Sequence, residues 1–497
     1  MPSEREEWSS DAPGSDRARQ AALAASRVAG GGILLGKGTG GWAWSGPGRS
    51  TLVLGPSRSG KTSCLVIPNV LNAEGAVVTT STKPDVLRAT ATSRAARGSA
   101  LLFDPSGSVE PPAGVARVGW SPVTTSSSWD GALLNADTMV RASRPIGGAG
   151  GPVDAHWVER AAALLAPLLH AASVAGEPMS TVLGWVDRHQ GADALDILAK
   201  RSGARDGATD LLAGILATDH REQSGIWSTA SGVLAAYRTG AALASTEPPY
   251  LDADSFCAGS GTLYICATGR QQQHLAPLVV GLLGEIREAA YRRAASGAAE
   301  PPVLLAIDEA ANIAPVPDLP AMVSEGAGQG LLTLVCLQDL SQARARWGPQ
   351  AEGFLSLFGT TMVLSGISDI PTLRSLSSLA GDEERRTRTV GRTQGGDGRS
   401  HPSFSDAAVM LRRLPMDAIA RGRPGSALAV DARNRFGWVT LTPAHLTSPW
   451  RELCRQDPNG PERTPGPALS ERARAGRVDA TGRATDPLGA AYPERDR

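Results

Sequence analysis

The stretch Thr51–Thr62, TLVLGPSRSGKT, constrains the fold more than any other part of the chain. An apolar run, Thr51-Leu52-Val53-Leu54, passes directly into Gly55-Pro56-Ser57-Arg58-Ser59-Gly60-Lys61-Thr62. That run satisfies the G-x-x-x-x-G-K-[ST] pattern and continues through Ser63 into a helix-like segment. Gly55 and Gly60 are expected to take backbone angles that a side chain would forbid, so that consecutive N–H groups within Gly55–Ser63 can point inward at phosphate oxygens. The helix beginning near Gly60 brings the positive end of its dipole to the same place. Lys61 then reaches the β- and γ-phosphates of a nucleotide, and the Thr62 hydroxyl holds Mg²⁺. An accidental Gly/Ser turn would not need a strand before it and a helix after it.

The segments that follow set the fold class. Ala76–Thr80 and Ala100–Phe103 read as strands separated by a helical stretch over Arg88–Ala96. Strand and helix alternating with continuously apolar strands indicates a mostly parallel sheet covered on both faces. Ligands bind at the C-terminal ends of such strands, which puts Lys83, Asp85 and Asp104 on the nucleotide side; the two aspartates read equally well as cap and turn residues. From about Trp129 to Ala244 the chain turns rich in Ala and Leu and reads as an all-α insertion of five to seven helices, with Pro145–Pro152 a loop upon it. The sheet resumes at Gly261–Ala267, Val303–Ile307, Leu331–Leu337 and Thr360–Leu364. Ile33–Trp44 resembles a hairpin at the sheet edge, and residues 423–442 a closing hairpin. Gly381–Phe404, rich in Arg, Gly and Ser, reads as an exposed or disordered loop. The expected organisation is a disordered tail over 1–30, a nucleotide-binding domain in two parts (31–125 and 251–448), the all-α insertion over 126–250, and a disordered tail over 449–497.

The formal net charge of the 497 residues is +0, so no global basic field points to nucleic acid, and a polyanion site needs a local patch or an assembled channel. Five scattered cysteines without a C-x-x-C pair suit a reducing cytosol rather than a disulfide frame or a zinc site. His156, His170, His189 and His220 have no ligand spacing. The N-terminus lacks the basic and apolar regions of a signal peptide, and no run of about 20 apolar residues is uninterrupted. The expected location is the cytoplasm; if the chain works at the inner face of the cell membrane, a partner must bring it there.

The strand Val303–Ile307 ends in Asp308-Glu309. An aspartate at the end of an apolar strand beside the loop strand can complete the Mg²⁺ shell, and the glutamate after it can act as general base on the attacking water. Gln338, closing the next strand, has an amide able to sense the γ-phosphate or its water; a hydrogen-bonded strand-end glutamine is the plainer reading.

The order GPSRSGKT, IPNVL, LLFDP, an all-α insertion, LLAIDEAANIAPVPDLPAMVSEGAGQG, LTLVCLQDLSQ and LSSLAG, running from about Gly36 to Trp450, resembles the TraG/TraD-type coupling ATPases of conjugation and type IV secretion. The resemblance implies a RecA-like P-loop NTPase core with an inserted all-α domain, α/β overall. It also implies a homo-hexameric ring, ATP and Mg²⁺ as cofactors, and delivery of single- or double-stranded DNA, or a relaxase or other secreted protein, to a membrane partner of a type IV secretion system. It matches Lys61 and Thr62 to the loop lysine and metal ligand, Asp308 and Glu309 to the acidic pair, and Gln338 to the glutamine after the following strand. The chain departs from it in two ways: no transmembrane helices are read, and Ser324–Gly330 lacks the arginine that such proteins often direct at a neighbour's nucleotide. Arg344, Arg346 and Arg374 are the substitutes considered. A chromosome-partitioning DNA translocase and a non-hydrolysing, nucleotide-switched scaffold remain alternatives. Arg385, Arg386, Arg388, Arg392 and Arg399 could line a pore, but acids sit among them.

Overall fold

A computed structural model describes residues 13–28, 30–143, 152–200, 206–267, 274–394 and 400–454. The strands are β1 (Leu34–Gly38), β2 (Gly41–Trp44), β3 (Thr51–Leu54), β4 (Val77–Ser81), β5 (Ala100–Phe103), β6 (Val115–Arg117), β7 (Thr262–Cys266), β8 (Val303–Ile307), β9 (Leu331–Leu337), β10 (Thr360–Leu364), β11 (Asp382–Gln394), β12 (Ser400–Arg412), β13 (Ser426–Asp431) and β14 (Phe436–Thr440). All but β11 and β12 join one sheet, in the order β2, β1, β14, β13, β10, β3, β9, β8, β4, β7, β5, β6. From β10 to β6 every pairing is parallel, and the two hairpins extend the other edge antiparallel.

The parallel strands are apolar throughout because both faces are covered. Leu52 and Leu54 of β3, Leu305 of β8 and Val335 of β9 point into one core, whereas Val53, Leu304, Ala306, Leu334 and Cys336 point into the other. The second face carries the helix after the phosphate loop and the helix Asp85–Ala95. The first carries the helix Ala276–Ala295, and its core continues without a break into the all-α insertion. That insertion centres on the helix Pro152–Ala175, which packs against Trp129–Ala142, Met179–Arg188, Gly191–Lys200, Asp206–Leu216 and His220–Val233. Ala155–Ala175 is long and apolar enough to cross a membrane by length and composition. Here its apolar surface is used by neighbouring helices, with Leu164, Leu165, Leu168 and Leu169 fully buried.

Several sequence expectations give way. β8 is not beside the loop strand: β9 lies between β3 and β8, hydrogen-bonded to both. Pro13–Val28, expected to be a disordered or loosely helical tail, is a 16-residue helix. Its small residues Ala18, Ala22 and Ser26, four apart, are buried and let it lie close to the body. At the other end Trp450, placed in the disordered tail, is 1 % exposed, donates to Asn72 Oδ1 at 2.7 Å and meets Trp42 edge-on. The expected loop over 381–404 contains β11, paired with β12 in a long ribbon whose register runs from Asp382↔Arg412 to Gln394↔Ser400. None of the ribbon's described side chains is buried, so no apolar alternation announces it. Its outer surface includes Val390, Val409, Met410 and Leu411. The loop expected over 145–152 lies outside the described residues up to the start of the helix at Pro152, as do residues 1–12 and 455–497 of the two tails.

One buried cation ties the sheet together. Arg94 is fully buried; its Nε donates to Thr262 Oγ1 at 2.6 Å, and its terminal nitrogens to the carbonyls of Ala73 (2.7 Å), Gly75 (3.0 Å) and Ser260 (2.9 Å). Burial, reinforced by Arg97, pulls its pKa down to about 9. Removing it strands several buried acceptors, each of which costs about 1–3 kcal/mol when unpaired. Arg94→Ala is therefore expected to destabilise the fold by roughly 3–5 kcal/mol, read as a lowered Tm and denaturation midpoint; a shift near zero would mean that water replaces the guanidinium.

Candidate nucleotide site

The loop after β3 turns where its composition allows. Gly60 sits at φ +98°, a region that side chains avoid, and Arg58 takes a left-handed φ of +64°. Gly55 is needed for a different reason than the sequence suggested. Its φ is ordinary, but an added Cβ would lie 2.8 Å from Ser59 Oγ and 2.9 Å from Leu364 Cβ. Gly55 N donates to Leu337 O at 3.1 Å, which fixes the loop's start to the end of β9. From Thr62 the chain is helical, first as a π-type turn through Val66 and then as an α-helix over Ile67–Asn72.

Lys61 is buried, and its Nζ donates to the carbonyls of Gly55 (2.5 Å) and Pro56 (2.9 Å). The ammonium is thus held inside the turn of its own loop. Thr62 Oγ1 donates to Asp308 Oδ2 at 2.6 Å, joining residues 246 apart in sequence. Thr80 Oγ1, on β4, donates to Asp308 O at 2.9 Å and fixes that strand end from the other side. Asp308 is 4 % exposed, and its Oδ1 has no hydrogen-bond partner. Burial raises its pKa, opposed by the Thr62 hydrogen bond and reinforced by Glu309. A folded-state carboxylate pKa above the unfolded value means that the folded chain holds its proton to higher pH, so ionising Asp308 without a cation subtracts stability as pH rises through that window.

Glu309 follows at φ +56°, a left-handed conformation costly for a side-chain-bearing residue and characteristic of functional sites. Asn312 Nδ2 donates to Glu309 Oε2 at 3.0 Å and orients the carboxylate. Gln338 ends β9, between β3 and β8, with its backbone N–H bonded to Gln342 Oε1 at 2.9 Å. Every site residue read from the sequence, from Gly55 to Ser63 together with Asp308, Glu309 and Gln338, therefore lies at the C-terminal ends of three consecutive strands. Thr80 and Asn312 were missed. Asn312 had a signal, three residues after an acid that opens a helix; Thr80 had none short of the strand order. Asp104 proves a turn residue, accepting from the backbone N–H groups of Ser106 and Val109. Of the substitute arginines, Arg344 is bonded to Asp369 (2.6 Å), Arg346 is half-buried near Ala142 O, and Arg374 is exposed on the helix Ile370–Ala380.

Residues 302–421 match the family described as the TraM recognition site of TraD and TraG. Among solved structures, the unbound monoclinic form of the bacterial conjugative coupling protein TrwBdeltaN70 matches with 18 % identity and a TM-score of 0.60, covering 80 % of this chain and 84 % of that one. This is the coupling-protein fold. Plasmid coupling protein TrwB in complex with ADP and Mg²⁺ matches the same fold at 19 % identity, TM-score 0.59, over 82 % of this chain and 87 % of that one. TrwB with the non-hydrolysable ATP analogue ADPNP matches at 20 % identity, TM-score 0.58, over 80 % and 86 %. No curated protein sequence matches the chain. The matched segment contains the acidic pair, Gln338 and the LSSLAG block, so the family match and the coupling-protein fold both support the resemblance to TraG/TraD-type proteins read from the sequence.

Proposed function

We propose that the chain is an ATP-hydrolysing coupling motor that moves DNA, or a protein–DNA complex, toward a type IV secretion or conjugation apparatus. The observation that carries this reading is the 2.6 Å contact of Thr62 with Asp308, which unites the phosphate loop with the acidic strand end. The site fits Mg²⁺: adjacent ligand oxygens of an octahedral ion at about 2.1 Å stand about 3 Å apart, close to the Thr62–Asp308 separation, and the buried Asp308 Oδ1 has no other partner. When bound, Mg²⁺ would neutralise charge on the β- and γ-phosphate oxygens. Backbone N–H groups of the loop that make no bond within it, such as those around Gly60 and Lys61, would cradle those oxygens, and Lys61 would transfer its hydrogen bonds from the loop carbonyls to the phosphates. Glu309, steadied by Asn312, accepts the proton of the attacking water. Gln338 lies between the phosphate loop and the acidic pair, where its amide can report the state of the terminal phosphate.

Arg374, the exposed member of the three arginines, is our choice for a residue acting on a neighbouring subunit of a homo-hexameric ring. The segment 302–421 is our choice for the contact with a relaxosome-type protein, in line with the name of the family it matches. Such a ring would work at the cytoplasmic face of the membrane through a partner. The ribbon of β11 and β12 is a poor DNA surface, since Arg385, Arg388 and Arg412 pair with Glu383, Asp406 and Asp382. The test is steady-state ATP turnover of the purified assembly with and without single- and double-stranded DNA. Stimulation by either is expected; turnover indifferent to both overturns the motor reading.

A further inference from the structure

At the opposite end of the strands from the phosphate loop lies a half-open cavity of about 250 Å³. Its floor is apolar, formed by Leu304 and Leu332 at the starts of β8 and β9, 4 % and 6 % exposed. One wall is the end of the phosphate-loop helix, with Asn72 and Glu74; the opposite wall is Arg27 and the Gly30–Gly32 turn. Gly31 adds no bulk there, and a Cβ in its place would meet nothing within 4 Å. At roughly 30 Å³ per water the space holds about eight waters. That is too small for a whole nucleotide triphosphate and the right order for a base.

Two polar groups define what would fit. Asn72 is 2 % exposed; its Oδ1 is occupied by the Trp450 indole N–H, while its Nδ2 has no acceptor. A buried amide donor without an acceptor is costly and uncommon. Beside it Glu74 presents a carboxylate whose Oε1 accepts from Arg27 Nε at 2.5 Å at the mouth. A buried N–H donor, a carboxylate and an apolar floor complement a planar heterocycle carrying a carbonyl oxygen next to adjacent N–H donors. Guanine has that edge: O6 accepts from the Asn72 amide, and N1–H and the exocyclic amine face the carboxylate. Adenine offers no such pair of adjacent donors. We propose that this cavity is a second site, separate from the phosphate loop, that binds a guanine base, free or as its nucleoside.

The probe is guanosine, which lacks phosphates, titrated by calorimetry against the full chain, with adenosine as comparison. Saturable one-to-one binding of guanosine is expected, with adenosine at least about tenfold weaker. Glu74→Gln, at a partly exposed position, and Asn72→Asp, which keeps the acceptor for Trp450 but removes the donor, should each weaken guanosine about tenfold or more. Lys61→Ala should leave it unchanged, whereas loss of binding there would place guanosine in the phosphate loop and overturn the proposal. Equal binding of both nucleosides, unaltered binding in Glu74→Gln, or no binding at millimolar guanosine would also overturn it, the last meaning that water alone satisfies Asn72. If Asn72→Asp fails to fold, Glu74→Gln decides.

Discussion

In Lys61→Ala, ATP turnover is expected to fall by about 10²–10³-fold or more, the scale of losing one preorganised charged donor at a phosphate in a water-poor site. Lys61 is buried inside the loop turn, so its charge is held where phosphate oxygens would accept it. The alanine gives up the two hydrogen bonds from Lys61 to the Gly55 and Pro56 carbonyls, a change local to the loop, while β3, β8 and β9 keep their pairing. The fold should therefore persist while binding and kcat/KM both drop, checked by calorimetric ATP titration beside a turnover assay. Undiminished turnover would place the active site elsewhere.

Glu309→Gln should separate binding from cleavage. The amide keeps the size of the side chain and a hydrogen bond with Asn312, but cannot take a proton from water. Loss of a general base lowers rates by about 10²–10⁴. ATP affinity should stay within a few-fold, because Lys61, Thr62 and Asp308 are untouched. Single-turnover kinetics on the ATP-loaded protein reads this directly. A variant that binds weakly as well as failing to cleave would recast Glu309 as a residue that shapes the pocket rather than one that moves a proton.

Much of this machinery was legible in the sequence because it is written in local signals. β8, β9 and β10 appear as runs such as VLLAI that are apolar without alternation, as strands buried on both sides must be. Lys61 and Thr62 follow from a motif in which each residue type has a mechanical role. The strand order was not legible, since nothing in one dimension says that β9 enters between β3 and β8; that insertion is what brings Gln338 between the loop and the acids. The ribbon of β11 and β12 was missed because none of its described side chains is buried and its strands are held by backbone pairing. The helix Pro13–Val28 and Trp450 were missed because small residues and a single aromatic anchor carry their docking, with too little apolar periodicity to stand out. Gly55 was read correctly as obligatory but for the wrong cause, crowding by Ser59 and Leu364 rather than an unusual φ.

The uninterrupted core that runs from β3 and β8 through the helix Ala276–Ala295 into the helical insertion bears on how force could travel. Close-packed interiors yield little under load, and among the described residues sheet and bundle share one packed core instead of meeting across a separate boundary. Chemistry at the strand ends would therefore turn sheet and bundle as one lever arm. In the ring proposed above, the give would have to lie in the joints between one copy and the next.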